Sequence, residues 1–257
     1  MKYLIIILYC LIHLPTSAAQ QKSPNEVFVT GDVWCPYTCE DDAKNRGLLT
    51  EVAEQAFSEV GLQTFYFSSS WNRAVSNVKK GKHDILLGAN TEQARDYELY
   101  TDYYIEDVTV FATLKDASIN ITQGAHLTPY RIGKVEEYDY DETGVWEPYI
   151  QEHPNVINVT SIRGEEHLLD LLLRNRIAVA VMNRDVASFY TNHKNLTQIH
   201  LIKPNISSRL FLGFNRSERG LMLREKFREG VKVLMSKNRL APIYEKYQIP
   251  MPEFDLQ

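Results

Sequence analysis

Short apolar runs rich in strand formers alternate along the chain with stretches whose apolar residues recur every three or four positions. Glu26-Val27-Phe28-Val29-Thr30-Gly31 reads as a first strand. From Gly47 to Val60, the residues Leu48, Leu49, Val52, Ala53, Ala56, Phe57 and Val60 keep a helical period, and Gly61 is a stop just beyond it. Thr64-Phe65-Tyr66-Phe67 is a second strand. Ser69 or Ser70 stands where its hydroxyl can cap a helix that opens at Trp71 and closes on Lys80-Gly81-Lys82-His83-Asp84. Ile85-Leu86-Leu87 follows as a third strand. That order predicts a parallel α/β sheet.

The second half repeats the pattern. Tyr104 to Thr113 reads as a long strand, and Tyr130 to Val135 starts a new α/β series. Tyr149 and Ile150 fall on a short helix, Val156 to Val159 on a strand, and Glu165 to Arg174 on a leucine-rich helix. Ile177 to Met182 is an unbroken apolar run, as expected of a strand buried on both faces. Arg209 to Phe214 is a further strand, and Leu221 to Tyr247 carries a helical stripe through Phe227, Val231, Leu234, Leu240, Ile243 and Tyr244.

Several of these segments resemble the family 3 periplasmic solute-binding proteins of ABC transporters. The resemblance is carried by the Trp71-headed helix ending in Gly81-Lys82-His83-Asp84, the Ile85 strand, the turn Gly88-Ala89-Asn90-Thr91-Glu92, and Tyr100-Thr101-Asp102-Tyr103-Tyr104. The strand and turn from Asn175 to Ala187 and the helix Leu240 to Tyr247 extend it over nearly all of the chain. It implies a bilobed type II periplasmic-binding-protein fold, with two α/β lobes joined by two crossing strands. On that template residues 20–109 form the first part of lobe one, 110–208 lobe two, and 209–257 the return to lobe one. Ligands of such folds sit beyond the carboxyl ends of the strands, here in the cleft between lobes.

Residues 1–19 change the picture of location. Lys2, the apolar run Leu4 to Leu14, and Pro15-Thr16-Ser17-Ala18-Ala19 read as a secretory signal cleaved near Ala18-Ala19. The run is too short to span a bilayer, which takes about 20 residues. The expected product is periplasmic. Its formal charge of −5, without a basic run, argues against nucleic acid as a partner. Cys35 and Cys39 outlast the leader, and in an oxidising compartment a close pair is most simply a disulfide. A redox pair usually has two intervening residues, and a zinc site needs more ligands than these.

For the cleft, Trp34 and Tyr37 follow the first strand, where the family sets an aromatic residue over its ligand. Either can stack on a ring or a cation; either can instead pack on the disulfide. Trp71 lines the cleft or packs its helix on the sheet, and Asn90 is the polar group of the turn. The family's ligand-carboxylate arginine corresponds to Arg95 when counted from Gly88-Ala89, whereas counting from Thr91 puts Ala94 in that slot. The family's ammonium-binding aspartate is replaced by Asn183, which cannot offset a charge. Carboxylates of Glu136-Glu137-Tyr138-Asp139-Tyr140 can supply that partner from another direction, with Glu136 and Tyr138 as the site candidates.

The resemblance implies a non-enzymatic, monomeric binding protein without cofactor or metal. It captures an amino-acid-like solute, or a related organic acid or amine, for an ABC permease or a membrane sensor. The alternative is an enzyme on the same scaffold resembling periplasmic cyclohexadienyl dehydratases, with Glu136, Glu137 or Asp139 as general acid. There is no Gly-x-Ser-x-Gly elbow, phosphate loop or His-Glu-x-x-His pair, and the histidines are scattered.

Overall fold

A computed structural model describes residues 23–40, 45–90 and 97–252. The leader and Arg95 lie outside these. The first flank is built from β1 (Glu26–Gly31), α1 (Leu48–Glu59), β2 (Gln63–Ser68), α2 (Trp71–Lys79) and β3 (Ile85–Ala89). The second flank holds β5 (Ile132–Val135), α3 (Glu147–Gln151), β6 (Val156–Val159), α4 (Gly164–Leu173), β7 (Val179–Asn183) and α5 (Arg184–His193). Two long strands connect them, β4 (Tyr97–Leu114) and β8 (Ile199–Asn215). The chain then returns to the first flank as α6 (Glu218–Ser236) and α7 (Leu240–Tyr247).

All eight strands hydrogen-bond in the order β2-β1-β3-β8-β4-β7-β5-β6. β1 is parallel to β2 and β3, and β5 is parallel to β6 and β7. The antiparallel β4–β8 pair lies at the centre. This is the two-lobed architecture with crossing strands that the family resemblance implies.

Both crossing strands are longer than their apolar runs suggest. In β8 the segment Lys203-Pro204-Asn205 interrupts the hydrophobic pattern, but the strand continues through it by a bulge. Thr109 pairs with Ile206 and Phe111 with Ile202, so the extra residues are accommodated there, with Asn205 at φ 60°. A bulge is where a strand tolerates proline, because the ladder is already broken. The tail likewise divides into two helices at Lys237-Asn238-Arg239, where Asn238 turns to φ 51°. Ser70 occupies the N-cap position of α2, but its hydroxyl makes no cap bond; Ser69 Oγ instead donates to the Ser70 carbonyl at 3.4 Å.

Packing joins the distant parts of the first lobe. Leu48, Leu49, Val52, Ala53, Ala56 and Phe57 of α1 are buried and face α6. Gly230 makes that approach feasible: a Cβ there would come within 2.0 Å of the Ala56 carbonyl oxygen. Asp84, buried after the α2 turn, accepts from the Phe28 N–H at 2.9 Å and pairs with Arg219 of α6 at 3.0 Å. The Gly-Lys-x-Asp ending of the helix therefore fastens α6 to β1 at the start of β3.

Candidate functional site

The loop after β1 is held by helix physics. Cys35 and Cys39 are disulfide-bonded with Cα atoms 4.8 Å apart. The first N–H groups of a helix have no partner within it; here Leu48 N donates to the Pro36 carbonyl at 2.8 Å and Leu49 N to the Tyr37 carbonyl at 2.9 Å. Gly47, at φ 91°, lets the loop lie directly on the start of α1. The loop is closed internally by Trp34 N to Thr38 O at 2.7 Å. Trp34 is thereby fixed, stacked on Tyr37 with ring centroids 4.5 Å apart.

Opposite lies the loop after β5. Glu137 takes φ 62°, and Gln151 of α3 donates to the Tyr138 carbonyl at 2.7 Å. Tyr140 is pinned from three sides. Its hydroxyl accepts from Val135 N at 2.8 Å, its N–H donates to Glu147, and its carbonyl accepts from Thr109 Oγ1. Tyr138 consequently projects across the cleft, and its hydroxyl donates to Asp32 Oδ2.

Between the two loops is a cavity of about 370 Å³, mouth included. Trp34, Trp71 and Tyr138 form its aromatic wall. Both indoles meet the Tyr138 ring edge-to-face, at centroid distances of 6.5 and 5.6 Å. Leu87, Gly88 and Leu210 add apolar surface, and Asn90 an amide. The acidic lining is Asp32, Asp107, Glu137 and Asp139. Among the described residues no lysine, arginine or histidine lines it.

Burial raises these carboxyls. Asp32 is pushed up to about 6 by burial, against the lowering effect of the Tyr138 hydrogen bond. Asp107 is pushed up to about 6 by burial, although Asn183 Nδ2 donates to it at 2.6 Å. Asp139 also rises to about 6, through burial and then the neighbouring Glu147 carboxyl. Behind the wall, Glu165 is held well above the usual carboxylate range by burial; its Oε1 accepts from Asn183 N at 2.9 Å. Desolvation disfavours each charged form, and neighbouring like charges add to it.

The sequence candidates separate by position. Trp34, Trp71, Asn90 and Tyr138 come together on the cavity. Tyr37 stands behind Trp34 and donates to Asp185 Oδ2 at 2.7 Å. Asn183 is the N-cap of α5, its Oδ1 accepting from Asp185 N and Val186 N, so it supports Asp107 from behind. Glu136 accepts from Asn72 at 3.4 Å outside the cavity lining. Arg95 is outside the described residues. Asp32 and Asp107 are not among the sequence candidates: Asp32 looks like a loop residue, and Asp107 follows Glu106 in an otherwise largely apolar strand. That burial-against-pattern was the one available signal for Asp107.

The halves also touch around the cavity. Val33 N donates to the Ile162 carbonyl at 2.9 Å, Asn90 Nδ2 to Asp139 Oδ2 at 3.3 Å, and Arg163 pairs with Glu40. Arg184 forks onto Asp185 at 2.8 and 3.0 Å. Among the described residues, no cluster of three or more acidic, histidine or cysteine groups is arranged to hold a metal, and no helix is long and apolar enough to cross a membrane.

A family model for bacterial extracellular solute-binding proteins, family 3, matches residues 27–250. No curated protein sequence matches the chain. Among solved structures, a histidine kinase sensor domain with similarity to periplasmic binding proteins is 17% identical, with TM-score 0.73, covering 88% of this chain and 98% of that one. A Streptococcus pneumoniae ABC uptake transporter substrate-binding protein with bound histidine is 16% identical, with TM-score 0.74 and coverage of 87% and 92%. ArtJ, the arginine-, lysine-, histidine-binding protein of Geobacillus stearothermophilus, is 16% identical, with TM-score 0.74 and coverage of 89% and 97%. These likenesses establish the type II fold.

Proposed function

The chain belongs to family 3 of the bacterial extracellular solute-binding proteins, and on that premise we propose that it captures a small, positively charged solute between its lobes. One observation carries this reading: the interlobe cavity combines three aromatic side chains with four carboxyls and no described cationic side chain. Aromatic faces attract cations through the ring quadrupole, and more strongly once water is excluded. A cation entering the cavity also relieves the cost of the buried carboxylates. Among the described lining residues a solute carboxylate meets only neutral side-chain donors: the Asn90 amide, which already donates to Asp139, and the Trp34 and Trp71 indoles. Relatives whose names specify histidine, arginine or lysine take solutes with basic side chains, in keeping with such chemistry.

The leader at residues 1–19 supports a periplasmic product, handing its solute to an ABC permease or reporting it to a membrane sensor. The test is a melting-temperature screen on protein stripped of bound small molecules by unfolding and refolding. A ligand selective for the native state raises stability by mass action. Organic amines and basic solutes are expected to shift the melt; a shift given only by organic acids or neutral zwitterions overturns the proposal.

A dehydratase of the cyclohexadienyl type ranks second. Its specific support is Asp139, a cavity carboxyl raised to about 6 and thus suited to general-acid work. Against it, a prephenate-like diacid needs cationic partners that the described lining lacks. Formation of phenylpyruvate from prephenate reverses this ranking.

A further inference from the structure

Apart from the cleft, the sheet leaves one edge without the usual protection, and we propose that β2 joins a second copy of this chain across a two-fold axis as an antiparallel strand pair. β2 stands at one end of the strand order, and among the described residues it pairs with β1 alone. Exposed edges are normally blunted by shortness, charge, proline or a bulge. The opposite edge, β6, is only four residues long and follows closely on Pro154. β2 has six residues, Gln63-Thr64-Phe65-Tyr66-Phe67-Ser68, with no charge and no proline. Its register with β1 runs unbroken from Glu26–Gln63 to Gly31–Ser68, so no bulge turns the edge away.

The backbone decides the register. Gln63 N donates to the Asn25 carbonyl at 2.8 Å and Ser69 N to the Gly31 carbonyl at 3.0 Å, so odd-numbered residues turn their main-chain groups toward β1. That direction alternates along a strand, which turns the groups of Thr64 and Ser68 to the outer edge. With the two-fold at Tyr66, Thr64 of each copy faces Ser68 of the other and exchanges main-chain hydrogen bonds with it. Phe65 then faces Phe67 in the non-hydrogen-bonded positions, where side chains approach most closely. Both rings lie on one face of β2 around Phe28, at centroid distances of 5.9 and 5.3 Å, and Phe67 is 40% exposed in the single chain. Self-pairing therefore sets apolar surface against apolar surface. The Tyr66 side chain points inward, its hydroxyl donating to the Asp32 carbonyl at 2.9 Å. Like charges placed opposite one another oppose pairing; here a chain of formal charge −5 meets itself along a neutral strand.

The experiment is sedimentation velocity of the mature protein from micromolar to near-millimolar concentration. A reversible dimer is expected in place of the monomer that the family resemblance implies. Phe67→Lys replaces an exposed ring by a charge in both Phe65–Phe67 pairs, and Ser68→Pro deletes an N–H that β1 does not use. Each is expected to weaken association about tenfold or more, with melting curves showing that both variants fold. Val145→Lys alters an exposed apolar residue on the second flank and is expected to leave association unchanged. In the parent protein, amide exchange at Thr64 and Ser68 should slow as concentration rises, a readout that needs no variant. A protein that stays monomeric throughout overturns the proposal, even if β2 captures an extended peptide from another source. So does a dimer that survives both β2 variants, is lost equally in Val145→Lys, or leaves exchange at those two amides unchanged.

Discussion

The Tyr138 hydroxyl donates a hydrogen bond to the Asp32 carboxylate, linking the loop after β5 to the loop after β1 across the cavity. This pair is one of several contacts between the lobes, and on the proposed reading an incoming cation competes with it. An aromatic–cation contact in a desolvated site contributes roughly 1–2 kcal/mol. Tyr138→Ala is therefore expected to weaken binding of a cationic solute about 5- to 30-fold. Titration calorimetry on the two proteins measures it; an unchanged affinity would remove Tyr138 from the site.

The carboxyls make stability and binding respond to pH in opposite senses. Asp32, Asp107 and Asp139 rise from 3.8 to about 6 in the folded protein. Between those values the folded state holds more protons than the unfolded one, so stability falls as pH rises. The solute-free protein should thus melt at a higher temperature at pH 5 than at pH 7. Cation affinity should instead drop as pH falls from 7 to 5, because protons then occupy the carboxyls. Binding near pH 6 is expected to release protons, seen as a heat that varies with buffer ionisation enthalpy.

Asp84 ties three elements together and stands apart from the cavity. Asp84→Ala removes its bonds to Phe28 N and Arg219 and leaves buried groups unmatched. A loss of about 2–3 kcal/mol is expected, read from denaturant unfolding. Solute affinity of the folded fraction should stay as in the parent protein.

Gly230 is a packing position, not a turn. Gly230→Ala drives a methyl group against the Ala56 carbonyl. Overpacking of this kind costs about 1–3 kcal/mol, although alanine favours helix. A lowered melting temperature is the expected outcome; an increase would show that α1 and α6 can separate without penalty.

The Cys35–Cys39 bridge closes a very short loop, so the chain-entropy contribution is about 2 kcal/mol or less. Its larger effect is on Trp34, whose loop it shapes. The double change Cys35→Ser and Cys39→Ser should lower the melting temperature modestly and weaken solute binding more. Thiol titration of the mature parent protein without reductant should find neither cysteine reactive.

Periodicity locates most of the elements, because burying one stripe of a helix or both faces of a strand demands a visible pattern, while their division into two lobes is what the family resemblance implies. The α1 and α6 stripes and the apolar β3 and β7 runs are readable in that way; the Trp71-headed helix is read from its capping serines and the family resemblance. The bulge at Lys203-Pro204-Asn205 and the break at Asn238 were not, since each is a local departure that only pairing and packing make acceptable.

Residue identities also marked Trp34, Trp71, Asn90 and Tyr138 as cleft candidates. What they could not show was which side chains face inward together. Asp32 and Asp139 are distant in sequence and meet the same cavity only because β1 and β5 end on facing lobes. The role of Asn183 was also decided there: its side chain satisfies the unpaired N–H groups of α5 and steadies Asp107. Sequence sets which residues can be buried or charged; the folded chain sets which charges share one low-dielectric space, and electrostatic chemistry depends on that distance and desolvation.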